Sequence, residues 1–66
     1  MKIKVVIDGK ERQLNYKKGM RIADLARENN IILSNYIVRV NDNIVPEDER
    51  VGEKDKIEFL KVISGG

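Results

Sequence analysis

Two apolar strands, one at each end of a chain of only 66 residues, constrain the fold more than any other feature. Residues 2–8 place Ile3, Val5 and Ile7 on one face of an extended strand, with lysines on the other face. A second such strand is predicted from about residue 56 to 62. Because both segments are rich in Ile and Val, we expect them to lie side by side as a parallel pair at the centre of one sheet.

A hairpin and one helix are predicted after the first strand. Asp8-Gly9 tolerates positive φ and is typical of a two-residue turn. Three larger side chains then alternate with polar neighbours: Arg12, Leu14 and Tyr16. Residues 21–30 show helical spacing of three apolar side chains: Ile22, Leu25 and Ala26. The helix start has no Ser, Thr, Asp or Asn cap, for which Asp24 in the first turn partly compensates, and Asn29-Asn30 suits its end.

The second half of the chain predicts a third strand at residues 36–40. Three of its side chains face the core: Tyr36, Val38 and Val40. Ile37 and Arg39 then face outward. Residues 41–43 predict a turn, residues 44–45 a short edge strand ended by Pro46, and residues 46–55 a polar loop.

This order of elements requires an α+β fold with a mixed sheet of four to five strands and one helix packed across one face. That is the ubiquitin-like β-grasp arrangement. We expect a single domain over residues 1–66, with a flexible C-terminal tail at residues 63–66.

The composition excludes most catalytic chemistry. The chain has no Cys and no His, which removes thiol nucleophiles, disulfides, the usual general base and the commonest zinc ligand. Its internal glycines, Gly9, Gly19 and Gly52, are isolated, so none forms a phosphate-cradling loop. The acidic residues between 47 and 55 lack the spacing of an EF-hand. We therefore expect no catalytic residue, no metal site and no bound cofactor.

The charge pattern argues against nucleic acid and membranes as partners. Thirteen basic and eleven acidic residues give a net charge of +2, spread along the chain. Four basic residues of the hairpin form the best candidate RNA-binding face: Lys2, Lys4, Lys10 and Arg12. Stacking partners are limited to three aromatic residues that we expect partly in the core: Tyr16, Tyr36 and Phe59. A small nucleic-acid-binding module stays the non-carrier alternative. No secretory or membrane-spanning segment is present, so we expect a cytoplasmic protein.

The final residues, Ile63-Ser64-Gly65-Gly66, follow directly on a strand. Without Cβ atoms, two glycines can thread a narrow tunnel in another protein, and the tail from Ile63 can extend roughly 13 Å at about 3.3 Å per residue. A free carboxylate is a poor electrophile, but joining it to AMP makes an acyl adenylate that sulfur or an amine can attack. ATP and Mg²⁺ would be used by the activating partner. The chain is thus expected to be a substrate or carrier.

Two motifs resemble those of the ThiS/MoaD family of ubiquitin-like sulfur carriers. VNDNIVP at residues 40–46 is similar to the family's VNxxxVP hairpin, and GEKDKIEFLKVISGG at residues 52–66 to its GDxIxxxxxVxGG ending. The resemblance implies that Gly66 is adenylated by an E1-like enzyme, ThiF- or MoeB-like, and becomes a sulfur-donating thiocarboxylate. The short length favours thiamine (thiazole) carriers, with a thiazole synthase as sulfur acceptor.

Several alternatives stay open. The FLKVISGG ending is similar to the small subunit of molybdopterin synthase, whose large subunit would then accept the sulfur. Related carriers serve tRNA thiolation or form isopeptide bonds as protein modifiers. For docking to the activating enzyme, the strand alternation predicts an outward apolar patch of Ile37, Leu60 and Val62, with Arg39 at its rim.

Overall fold

The two central strands lie side by side and run parallel, as predicted. The computed structural model describes residues 1–62. These residues form five strands, one α-helix and one 3₁₀ turn. Their order along the chain is β1 (Lys2–Ile7), β2 (Lys10–Asn15), α1 (Ile22–Glu28), the 3₁₀ turn (Leu33–Asn35), β3 (Tyr36–Val40), β4 (Asn43–Ile44) and β5 (Ile57–Lys61). The sheet order is β2-β1-β5-β3-β4. Among the strand pairs of residues 1–62, only β1–β5 is parallel. This mixed sheet with one helix confirms the β-grasp prediction. The flexible tail predicted at residues 63–66 lies outside the described residues.

In the described part of the chain, twelve buried apolar side chains form the core between α1 and the sheet. The most completely buried of them come from the helix and the central strands: Val5, Ile22, Leu25, Ile57 and Phe59. Tyr36 packs edge-on against Phe59, with ring centroids 6.0 Å apart and planes at 90°. Tyr16 and Phe59 are buried and Tyr36 is half-buried, so the aromatic rings serve the core rather than a stacking surface.

The register of the hairpin overturns the candidate cationic face. The φ angles of Asp8 and Gly9 are 51° and 78°. A two-residue hairpin turn of type I′ requires positive φ at both positions. This turn pairs Ile7 with Lys10. Residues that pair directly share a face, so Lys10 and Arg12 lie on the helix side while Lys2 and Lys4 lie on the opposite side. The four basic residues therefore do not form one surface.

The start of α1 is capped by the loop that follows β4 as well as by Asp24. The backbone N–H of Arg21 donates to Asp24 Oδ2 at 3.1 Å. The N–H groups of Ile22 and Ala23 donate to the carbonyl oxygens of Glu49 and Glu47, each at 2.9 Å. These bonds satisfy the first free donors of a helix that has no Ser, Thr or Asn cap.

The end of α1 is a left-handed cap at Asn30, whose φ is 59°. The N–H of Ile31 donates to the Ala26 carbonyl at 2.8 Å, and that of Asn30 to the Arg27 carbonyl at 3.3 Å. This pair of bonds is a Schellman motif, and it supports the prediction that Asn29-Asn30 ends the helix. The Asn29 side chain also ties the helix to β2, because its Oδ1 accepts from Asn15 N–H at 2.8 Å.

The segment at residues 46–55 contributes a residue to the core, whereas the sequence predicted only a polar loop. Val51 is buried in the core, with 4% of its surface exposed. The Tyr16 hydroxyl donates to the Val51 carbonyl at 2.6 Å. The strand bounds also differ slightly from those predicted, because β4 begins at Asn43 and β5 ends at Lys61. No helix among residues 1–62 is long and apolar enough to cross a membrane.

Candidate functional site

The sheet face opposite α1, called here the outer face, carries the predicted apolar patch. Ile37 and Leu60 are direct cross-strand partners on β3 and β5. Val62 follows Leu60 by two residues and points to the same side. Ile37 is 43% exposed, Val62 is 42% exposed and Leu60 is half-buried. The structure therefore brings these three side chains together on one accessible surface.

Arg39 lies in the next cross-strand row, opposite Glu58. Its Nε and Nη2 donate to Glu58 Oε1 and Oε2, each at 3.0 Å, in a bidentate ion pair. The hydrogen bond from Arg39 lowers the pKa of Glu58, and the hydrogen bond to Glu58 raises the pKa of Arg39. The pair uses two of the five N–H donors of the guanidinium.

Ile44 extends the outer-face patch and was missed by the sequence analysis. It pairs with Arg39 across β3 and β4, so its side chain is on the outer face, and it is 72% exposed. A strand of two residues is too short for alternation of apolar and polar side chains to show which residue faces the core. The register could have been found from Asn41-Asp42, because both residues have positive φ, 51° and 70°, in a two-residue turn.

Strand β5 ends beside this patch. The N–H of Val62 donates to the Asn35 carbonyl at 2.9 Å, which continues the β3–β5 ladder one step past β5. The parallel neighbour β1 ends at the same edge, where Asp8 N–H donates to the Phe59 carbonyl at 2.9 Å. The predicted functional residues beyond this point lie outside the described residues: Ile63, Ser64, Gly65 and Gly66.

The acidic side chains between residues 47 and 55 were considered above as a possible metal site. Within residues 1–62 no group of three or more Asp or Glu side chains is placed to hold a metal ion. Asp55 shows how the acidic loop is used. Its carboxylate accepts from Gly52 N–H at 2.7 Å and from Asn41 Nδ2 at 3.1 Å, and these bonds lower its pKa. The carboxylate thus fixes the turn that leads into β5.

The fold and the outer face together define a small β-grasp domain that presents an apolar patch next to its C-terminal segment. Residues 4–66 match the model of the ThiS family, and the chain belongs to this family. Its members are small sulfur carriers rather than enzymes. Membership supports a sulfur carrier role in general, with an E1-like activating enzyme and a sulfur-accepting protein as partners.

Proposed function

We propose that this protein carries sulfur on the carboxyl group of Gly66 for the synthesis of the thiazole of thiamine. A carboxylate oxygen attacks the α-phosphorus of ATP, and pyrophosphate leaves. Hydrosulfide then attacks the carbonyl carbon of the acyl adenylate, and AMP leaves with the bonding electrons. The product is a thiocarboxylate. ATP and Mg²⁺ are bound by the activating enzyme, and this chain contributes the carboxylate and the surface that positions it.

The observation that carries the proposal is the position of the outer-face patch at the root of the tail. Ile37, Leu60 and Val62 lie where β5 ends, so a partner that covers them is within reach of the four residues that follow. Ile44 adds a fourth apolar side chain, in the same cross-strand row as the Arg39–Glu58 pair. We propose that the ThiF-like activating enzyme binds this patch and thereby directs Gly65-Gly66 into its own active site.

The thiazole assignment is supported by the ThiS family match over residues 4–66. A thiazole synthase is then the sulfur acceptor. Delivery to a molybdopterin synthase large subunit, to tRNA thiolation, or to lysines as a protein modifier uses the same activation step. The sulfur routes differ in the acceptor of the sulfur, whereas in the modifier route a lysine amine, in place of hydrosulfide, attacks the acyl carbon and AMP leaves. Incubating the thiocarboxylate carrier with each candidate acceptor and measuring sulfur loss separates them.

Deleting Gly66 tests the role of the tail. We expect the deletion to abolish ATP–pyrophosphate exchange by the activating enzyme, because the reacting carboxylate is shifted by one residue. The thermal unfolding midpoint should not change, since the core lies within residues 3–59. Retained exchange would contradict the proposal, and a large loss of stability would assign the tail a structural role.

Changing Ile44 to Asp tests the docking surface. At 72% exposure the side chain contributes little to the core, so the variant should fold normally and raise KM in the exchange assay. Ile32→Asp is the matched control, because Ile32 is 64% exposed but lines a groove on the helix side. Equal activity of the wild type and Ile44→Asp would reject the outer face as the activation surface. Leu60→Asp gives a second, independent change in the same patch.

A further inference from the structure

The helix side of the sheet carries three cations at the edge where β5 ends. The register places Lys10 in the row of Ile7 and Arg12 in the row of Val5, whose side chains both point toward α1. Lys61 follows Phe59 by two residues and faces the same side. All three side chains are exposed. Strand pairing thus collects positive charge from β2 and β5 on one face.

A groove of about 330 Å³ opens on this side, between the hairpin and the segment after α1. We call it the helix-side groove. Its lining combines apolar and polar side chains, and includes Ile7, Ile31, Ile32, Arg12, Asn30 and Asn35. Ile32 is 64% exposed. The carbonyl of Asn35 also accepts the hydrogen bond from Val62 N–H, so this part of the groove lies next to the end of β5.

The charges on the two faces are arranged differently. On the outer face Arg39 pairs with Glu58 at 3.0 Å and Lys4 pairs with Glu11 at 3.5 Å. Within residues 1–62, the ion pairs of the protein do not include Lys10, Arg12 or Lys61. Among the described residues these three cations thus lie outside the ion pairs, and their position on one face favours an anionic partner.

We infer that the helix-side groove is a second docking surface, for a protein segment that places a carboxylate side chain next to an aliphatic one. The aliphatic side chain packs on Ile31 and Ile32, and the carboxylate accepts hydrogen bonds from Arg12. The outer-face patch lies on the opposite side of the sheet, so this contact does not compete with the surface proposed for the activating enzyme. The inference does not depend on the sulfur chemistry.

A protein segment fits the groove better than a nucleic acid does. Base stacking needs exposed aromatic rings, whereas Tyr16 and Phe59 are buried and Tyr36 is half-buried against Phe59. Among the described residues, the apolar lining of the groove is aliphatic except for the half-buried Tyr36, and Arg12 is the cation that lines it. An apolar contact of this size, framed by charge, is typical of recognition of a short peptide segment.

The test is an NMR titration of the full chain with an acetylated Ile-Glu-Leu-Glu tetrapeptide amide. We expect saturable shifts at the amides of Arg12, Asn30, Ile31 and Ile32, which weaken as salt is added. Arg12→Glu should lower the affinity by about tenfold or more, because a like charge replaces an attractive one. The Ile-Lys-Leu-Lys peptide should leave these amides unshifted.

Lys2→Glu is the matched control, because it makes the same change in net charge on the other face of the same hairpin. It should bind the acidic peptide as the wild type does. Shifts outside the groove, an equal loss in Lys2→Glu, or no saturable shift in the wild type would each overturn the inference. Tighter binding of a single-stranded uridine octamer at the same amides would also overturn it, in favour of RNA. Rates of ATP–pyrophosphate exchange with Arg12→Glu, measured separately, report on the proposed function alone.

Discussion

Replacing Tyr16 by Phe tests how the segment at residues 46–55 is held on the domain. Tyr16 is 4% exposed, and its hydroxyl donates to the Val51 carbonyl at 2.6 Å. The change keeps the ring and removes one oxygen, so the buried carbonyl loses its donor. An unsatisfied buried acceptor costs about 1 to 3 kcal/mol. For a chain of this length the whole free energy of unfolding is about 3 to 10 kcal/mol, so this loss is a large fraction of it.

The measurement is urea unfolding followed by circular dichroism, with a thermal scan alongside. Each kcal/mol lost should lower the midpoint temperature by about 4 to 8 °C in a domain of this size. Tyr36→Phe is the control, because it removes the same atom from a half-buried ring, and we expect a change within about 0.5 kcal/mol. If both variants lose equal stability, the buried hydroxyl is not what secures the segment, and the reasoning is refuted.

Three further predictions concern the helix cap, pH and the acidic loop. Asn30→Ala should lower the free energy of unfolding, measured with urea, by about 1 kcal/mol, because alanine disfavours the left-handed backbone conformation at this position. Asn30→Gly should cause no such loss, because glycine adopts this conformation readily. The folded-state pKa values of Asp55 and Glu58 lie below their ordinary values of 3.8 and 4.5, so the stability they contribute is full above pH 5 and lost as the pH falls through the folded values. Acid titration of the unfolding midpoint should therefore show a flatter fall in Asp55→Asn or Glu58→Gln than in the wild type. Val51→Ala should destabilise the domain by about 1 to 3 kcal/mol, whereas a truly solvated loop would tolerate the change.

Local periodicity was enough to predict the central strands and the helix. The spacing of Ile22, Leu25 and Ala26 matches the buried face of α1, and the alternation from Tyr36 to Val40 matches the burial of β3. These signals succeed because each repeats over several residues on one element. The outward direction of Ile37 followed from the same alternation.

Features that depend on contacts between distant segments were not predictable in this way. Val51 is a single apolar residue among polar neighbours, so no period marks it as buried. The carbonyl groups of Glu47 and Glu49 cap α1 through backbone atoms, which carry no side-chain signature. The prediction of one cationic surface on the hairpin was wrong, because the side of the sheet on which Lys10 lies depends on the strand register. The two-residue turn at Asp8-Gly9 fixes that register and was the signal that could have corrected it.

The most direct test of the account is the mass of the intact protein after incubation with ATP, Mg²⁺, a ThiF-like activating enzyme and a sulfide source. We predict a gain equal to the replacement of one oxygen by sulfur, located by fragmentation on Gly66. The gain should disappear when one residue that is not trimmed is added after Gly66. An unmodified carboxyl group at Gly66, or an extended chain that still takes up sulfur, would contradict the claim that this carboxylate is the working group.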